Sequence, residues 1–182
     1  YVPAKVLGVD MITFQREVPF WEALQTTFRT YGTDGWGVAG PGTRNPRAAG
    51  TSTWEEVGDG RFRQTAVTTF GKNEWQSAQL FHPDEPAWTL EHPVKDLADV
   101  AAWMDMALAP EITRDFTHAV DAWRAVGEDY LLECGLGVPF FDELAGPLGF
   151  EQAIYYLMSE DPATLERLRE RMIEQKAALI AQ

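Results

Sequence analysis

The amino-terminal third of the chain begins with a helical pattern of apolar residues and then changes to a strand-like one. Between residues 17 and 32 the apolar side chains recur at helical spacing, at Phe20, Trp21, Leu24 and Phe28. Gly32 follows, in a position where glycine commonly ends a helix. The sequence DGWGVAG (34–40) then predicts a short strand, and the Gly- and Pro-rich residues 40–50 predict a loop.

The middle of the chain has the clearest alternation of apolar and polar positions. Two alternating runs flank the sequence FGKN (70–73), so we expect a β-hairpin over about residues 60–82. Residues 82–93 contain three prolines and predict a loop.

The remaining pattern is mostly helical. Apolar stripes predict helices after Asp96, within 113–127, within 148–158 and from Pro162 onwards, the last with Asp161 as its N-cap. The short apolar run DYLLECG (129–135) predicts one more strand. This order of elements favours an α/β fold with parallel strands. Because such sheets bind ligands at the carboxyl ends of their strands, the sequence GLGVPFF (135–141) is a candidate binding loop.

The 182 residues carry a formal net charge of −13, which lies entirely in the second part of the chain. Residues 1–80 hold 8 basic and 8 acidic side chains, whereas residues 81–182 hold 7 basic and 20 acidic ones. Phosphate binding needs clustered Lys and Arg, so we expect neither a nucleic-acid partner nor a membrane surface. We expect a small-molecule substrate. A protein partner would be either a second copy of the chain, in a homodimer, or a different chain.

The single cysteine, Cys134, excludes an intrachain disulfide and a Cys-rich zinc site and fits a reducing, cytoplasmic location. No apolar run approaches the roughly 20 residues that span a bilayer, and the first residues lack the pattern of a signal segment. The chain opens on Tyr1, and its last segment stops in helical rhythm without a cap. We therefore expect one domain, residues 1–182, that belongs to a longer protein.

Several stretches, taken in order, resemble the uroporphyrinogen decarboxylase superfamily. The loop residues Gly137, Val138, Pro139 and Phe140 are similar to that family's Gly-Ala-Pro-Phe/Trp-like loop after a strand. Asp161 with Pro162 resembles the start of a later family helix. The sequences TFRTYGTDGWGV (27–38) and HPVKDLADVAAW (92–103) resemble its early helix–strand segment and the linker before a helix.

The resemblance implies part of a (β/α)8 TIM barrel with a β-hairpin excursion and with the carboxyl-terminal strands missing, since a complete barrel needs roughly 250 residues. It implies an enzyme for a carboxylate-bearing, tetrapyrrole or methylated small molecule, either a decarboxylase or a corrinoid- or zinc-dependent methyltransferase. Zinc or corrinoid would be bound only through the missing carboxyl-terminal half. The decarboxylases' Arg-rich motif is absent, and Pro41 stands near the place of their strand-end Asp.

We expect six residues to contact the substrate, and none is assigned a catalytic role: Trp36, Arg44, Cys134, Pro139, Phe140 and Phe141. Arg44 lies among arginines that follow the first strand, and it is our first choice for a substrate carboxylate. Phe140 and Phe141 either line an apolar pocket or pack beneath further strands. Cys134 is either a small core residue or, beside a base or cation, a reactive thiol.

Other kinds of site have weaker support. His82 and His92 lack the i, i+4 spacing of a helical metal site, so no metal site is predicted. The tryptophans suggest carbohydrate stacking, but the adjacent Glu55 and Glu56 cannot face each other across a glycosidic bond. The alternative from a different class is a non-catalytic binding or assembly subunit that another chain completes.

Overall fold

A computed structural model describes residues 2–128, 130–135 and 138–181. Its helices are α1 (Val2–Leu7), α2 (Met11–Glu17), α3 (Phe20–Tyr31), α4 (Val100–Ala107), α5 (Thr117–Val126), α6 (Phe140–Leu148), α7 (Phe150–Ser159) and α8 (Pro162–Ile180). Its strands are β1 (Trp36–Val38), β2 (Gly42–Arg44), β3 (Ala48–Gly58), β4 (Arg61–Phe70), β5 (Asn73–Phe81), β6 (Trp88–Glu91), β7 (Thr113–Asp115) and β8 (Leu131–Glu133). None of the helices in these ranges has the length and apolar character needed to cross a membrane.

The largest sheet is antiparallel, with the strand order β3-β4-β5-β6. Strands β4 and β5 are the predicted hairpin, which turns at Gly71 with a positive φ of 61°. The segment 82–93, predicted as a loop, contains the outer strand β6, and the loop predicted over 40–50 contains β2 and the first three residues of the outer strand β3. Strand β3 was missed because its first six residues, AAGTST, show no apolar alternation. Nearly all of its side chains are exposed, so backbone hydrogen bonds to β4 define it.

The prediction of a partial (β/α)8 barrel is wrong, although the α/β class is confirmed. Strands β1 and β8 are parallel, from Trp36 opposite Leu131 to Val38 opposite Glu133, but their sheet has only these two strands within the described residues. Strands β2 and β7 pair antiparallel. The chain between β1 and β8 contains the antiparallel sheet, the β2–β7 pair, α4 and α5, rather than the single crossover helix of a barrel unit.

The main core lies between one end of the antiparallel sheet and helices α4, α6, α7 and α8. The sheet contributes Phe70 and Trp75, and the ring of Trp75 meets Trp103 edge-on at 5.3 Å between centroids. The helices contribute fully buried side chains such as Met104 and Leu144. The core therefore joins the hairpin to the carboxyl-terminal helices, and a smaller core joins α1, α2 and α3.

The predicted helix ends are confirmed where a local cap defines them. Gly32 ends α3 in the left-handed conformation, with φ 62°, and its N–H donates to the carbonyl of Phe28. The Asp161 carboxylate accepts a hydrogen bond from the backbone N–H of Thr164 at 3.0 Å and so begins α8.

Gly35 brings β1 close to α3 and to the residue before β8. A Cβ atom at this position would lie 2.2 Å from Cδ2 of Phe28 and 2.4 Å from Cδ1 of Tyr130. The two rings themselves are 6.0 Å apart between centroids. Glycine is therefore required here for packing, which places the parallel pair against α3.

Candidate functional site

The chain leaves β1 and β8 on the same side of their two-stranded sheet. The backbone N–H of Ala39 donates to the carbonyl of Glu133 at 3.0 Å, which extends the pairing one step beyond the strands. A Cβ on Gly40 would lie 3.5 Å from the carbonyl oxygen of Gly135, so the two exits run close together. The loops that follow parallel strands meet at such a point, where α/β proteins commonly bind ligands.

An apolar cavity of about 330 Å³ lies on one side of these strand ends. One wall is formed by the N-cap residue of α5 and one face of that helix, at i, i+3, i+4 and i+7: Phe116, Ala119, Val120 and Trp123. The wall from the strands consists of Ala39, Leu132, Glu133 and Cys134. The indole of Trp123 is largely exposed, so this wall is open to a ligand from solvent.

A second cavity, of about 320 Å³, is more polar and is bordered by Pro41 and Gly135, which follow the same strand ends. Gly135 lines it, and the preceding residue, Cys134, lines the apolar cavity, so consecutive residues of the chain border the two cavities. We call the two cavities together the strand-end cleft. Thr43 and Arg114 line the polar part, and they lie directly opposite each other in the β2–β7 pair.

The polar part of the strand-end cleft contains both an anionic and a cationic side chain. Glu143 of α6 lies 3.1 Å from Nζ of Lys176, so its charge is offset. Lys176 also donates to the carbonyl of Val138, and Gln175 donates to the carbonyl of Ala107 at 3.0 Å. Arg114 is half-buried, with its Nε away from solvent, and it is the basic residue of the lining within the described residues.

Asp115 fixes the start of the α5 wall. Its carboxylate accepts a hydrogen bond from the backbone N–H of Thr117 at 2.9 Å. Hydrogen bonds from the side chain and then the backbone of Thr117 lower the pKa of Asp115, so this carboxylate stays ionised. The same contact ties β7, which holds Arg114, to the helix that holds Trp123.

Of the six residues expected to contact substrate, Cys134 lines the strand-end cleft. Arg44 is exposed on β2, one position after Thr43, and Trp36 lies at the opposite end of β1 from the cleft. Trp36 instead borders a small hollow of about 10 Å³ beside α3.

The other three expected residues lie at the start of α6. Pro139 is its N-cap residue, and Phe140 and Phe141 are its first two residues, which pack against the main core. The ring of Phe141 meets that of Phe150 edge-on at 5.3 Å. Gly137 of the loop pattern lies outside the described residues.

Sequence reasoning missed Thr43, Arg114 and Trp123 as cleft residues. Arg114 was placed inside a continuous helix over 113–127, whereas Thr113–Asp115 form β7. The signal that marks the boundary is local: Asp115 is followed two residues later by Thr117, whose backbone N–H donates a cap-like hydrogen bond to the Asp115 carboxylate.

A larger groove of about 380 Å³ lies beside the polar cavity, between α8 and the segment that follows α4. It shares Ile112, Gln175 and Leu179 with that cavity. Its Arg171 is paired with Asp105 at 2.9 Å, and this ion pair offsets its charge. We take the strand-end cleft as the candidate site because it combines parallel strand ends, an aromatic wall and Arg114.

The histidines considered as metal ligands have separate partners. His82 Nδ1 lies 3.3 Å from a carboxylate oxygen of Glu85, and His92 Nδ1 lies 3.0 Å from the carbonyl of Gly146. Among the residues that the structure describes, no group of three or more His, Cys, Asp or Glu side chains is arranged to hold a metal ion.

Comparison of the chain with models of known families, with curated proteins and with solved structures finds no match. The site is therefore interpreted from its own geometry.

Proposed function

We propose that the chain binds a small carboxylate-bearing organic molecule in the strand-end cleft, as part of an enzyme similar to the uroporphyrinogen decarboxylases. One observation supports this most directly: an apolar cavity and a polar cavity are bordered by consecutive residues, Cys134 and Gly135, just after β8. A ligand that occupied both cavities would place its hydrocarbon part on Trp123 and its carboxylate at Arg114.

Arg114 suits a carboxylate for physical reasons. A guanidinium presents N–H groups in a planar fork that matches the two oxygens of a carboxylate. Half-burial reduces the screening of its charge by solvent and salt. Glu143, which lines the same cavity, lies 3.1 Å from Nζ of Lys176.

The apolar wall would supply most of the contact area. Trp123 and Phe116 offer flat aromatic surfaces of the kind that bind ring systems. The proposed reaction is decarboxylation, with methyl transfer as the alternative within the same superfamily. In both, the residues of the cleft bind and orient the substrate, and the proposed location is the cytoplasm.

A non-catalytic assembly subunit is the second candidate. Leu131 of β8 is 65% exposed, and β8 has β1 as its strand neighbour in the part of the chain that the structure describes. Parallel strands are usually covered on both faces, so a second chain would bury this strand. Sedimentation of the chain with and without its ligand separates the candidates, because the assembly role requires a stable complex.

The test of the proposed function uses two matched probes, 2-naphthoate and its uncharged amide 2-naphthamide. We expect the carboxylate to bind about tenfold tighter than the amide, since hydrogen bonds to a charged group contribute about 1.5–3 kcal/mol. Tryptophan fluorescence of the 182-residue chain measures both affinities. Equal affinities would contradict the carboxylate site. Uroporphyrin, a polycarboxylated tetrapyrrole, then tests whether the cleft accepts the larger substrate class.

A further inference from the structure

Helix α7 exposes a row of large apolar side chains. Phe150, Ile154 and Met158 follow each other at i, i+4 and i+8, so they lie along one line of the helix surface. Met158 is 83% exposed and Phe150 is 68% exposed. Tyr155, also exposed, lies in the neighbouring row. We call these four residues the α7 surface.

The α7 surface has a fixed orientation because another face of the helix packs against the main core. Ala153 and Tyr156 are buried in the main core. Phe150 is held at its base by the edge-on contact with Phe141 of α6. The exposed row therefore cannot turn inward without breaking the core, and a contiguous apolar patch of this kind marks an interaction site.

The charged residues of the chain segment that contains α7 have a single sign. Residues 140–165 contain no Lys, Arg or His and five acidic residues, Asp142, Glu143, Glu151, Glu160 and Asp161. Glu151 lies one turn before Tyr155 in the neighbouring row, and Glu160 and Asp161 follow the end of the row. Of the five, Glu143 is offset by Lys176.

This charge pattern favours one kind of binding partner for the apolar helix face over others. A second copy would place acidic residues against acidic residues, and an anionic lipid surface would be repelled in the same way. A partner with basic residues beside its apolar face would be attracted at both ends of the row. Methionine and aromatic side chains adapt to such amphipathic partners.

We propose that the α7 surface binds an amphipathic helix of another protein, with Lys and Arg on either side of its apolar face. The surface is separate from the strand-end cleft, because none of the residues that line the two cavities belongs to α7. The proposal therefore does not depend on the proposed function.

The probe is a fluorescently labelled 18-residue helical peptide of leucine and lysine, with the leucines on one face. Two further peptides serve as references, one with glutamate in place of lysine and one with the same leucine and lysine residues in scrambled order. We expect the patterned lysine peptide to bind at least about tenfold more tightly than either reference peptide. Its binding should weaken at higher salt. Fluorescence anisotropy with the 182-residue chain measures the three affinities.

Substitutions then locate the contact. We expect the double variant Ile154→Gln, Met158→Gln to weaken binding of the patterned peptide by about tenfold, because it removes two of the three apolar side chains of the row. The matched control is Leu90→Gln, which changes an apolar residue that is 53% exposed on β6 and should leave binding unchanged. Glu151→Gln should weaken binding about threefold and reduce its salt dependence. Circular dichroism confirms that each variant is folded.

Three results would overturn the proposal. Equal binding of the patterned and scrambled lysine peptides would mean attraction by net charge alone. An equal effect of Leu90→Gln would place the contact elsewhere. Self-association of the chain that Met158→Gln abolishes would identify a second copy as the occupant of the α7 surface.

Discussion

Arg114 lies directly opposite Thr43 in the antiparallel pair of β2 and β7, and this register decides which arginine faces the strand-end cleft. Directly opposed residues of two strands share one face of the sheet, and successive residues alternate between faces. Arg44, opposite Thr113, therefore lies on the other face from Arg114 and is exposed.

Replacing Arg114 should remove the preference of the cleft for a carboxylate. We expect Arg114→Gln to weaken 2-naphthoate binding by about tenfold to a hundredfold, because the charged hydrogen bonds are lost, and to leave 2-naphthamide binding nearly unchanged. The matched control is Arg44→Gln, which should change neither affinity. Fluorescence titration measures all four values, and a larger effect at Arg44 would contradict the assignment.

Replacing Trp123 should weaken both probes to the same extent. Trp123→Ala removes an aromatic wall that contacts the hydrocarbon part, whereas the carboxylate contact is made elsewhere. We expect about a tenfold loss for 2-naphthoate and for 2-naphthamide alike, measured by competition with a fluorescent naphthalene sulfonate. Trp88→Ala changes a tryptophan of similar exposure on β6 and serves as the control. A loss confined to the carboxylate would place Trp123 beside the charge instead.

Substitutions at two nearby glycines should affect stability differently. Gly35→Ala places a Cβ within 2.4 Å of the rings of Phe28 and Tyr130, so we expect a loss of about 1–3 kcal/mol in the free energy of unfolding. At Gly37 the closest atom to an added Cβ is 3.6 Å away, on Leu132, which is an ordinary contact. Gly37→Ala should be neutral or stabilise by up to about 1 kcal/mol. Urea unfolding of both variants checks the contrast, and equal effects would mean that α3 is not packed against β1 as described.

Alkaline pH should destabilise the protein through Tyr156. Burial first, and the neighbouring Glu160 second, raise the pKa of Tyr156 to about 12. The ordinary value of a tyrosine is about 10, so the folded state holds this proton more tightly than the unfolded state. The resulting stability is fully present below about pH 10 and is lost as the pH rises towards 12.

The Tyr156→Phe variant isolates this effect from other groups that titrate at high pH. We expect the free energy of unfolding of the wild type to fall more steeply between pH 10 and 12 than that of the variant, whereas below pH 9 the difference between them stays constant. Urea unfolding at several pH values measures both slopes. Parallel slopes would show that the Tyr156 hydroxyl is not protected in the folded state.

Residues with strong local signals were predicted correctly. Gly32 and Asp161 act within one helical turn, so their capping roles can be identified without knowledge of the fold. The hairpin of β4 and β5 is similarly local, because its two strands are joined by a tight turn at Gly71.

Residues whose environment depends on distant partners were not predicted correctly. Strand β7 is three residues long and pairs with β2, which lies about 70 positions earlier in the chain. So short a strand has too few hydrogen bonds to define itself, and Arg114 was therefore assigned to a helix. Phe140 and Phe141 were placed in a loop because the Gly- and Pro-containing residues before them mask the start of α6.

By itself the sequence determined the α/β class, the central hairpin and the capped helices, since their apolar periods and end signals act over a few residues. Only the tertiary structure decided that the strands form an antiparallel sheet and two small pairs instead of part of a barrel. It also decided that Arg114, and not Arg44, lines the polar part of the strand-end cleft. The physical reason is that strand pairing and register depend on packing between segments far apart in the chain, which no local pattern contains.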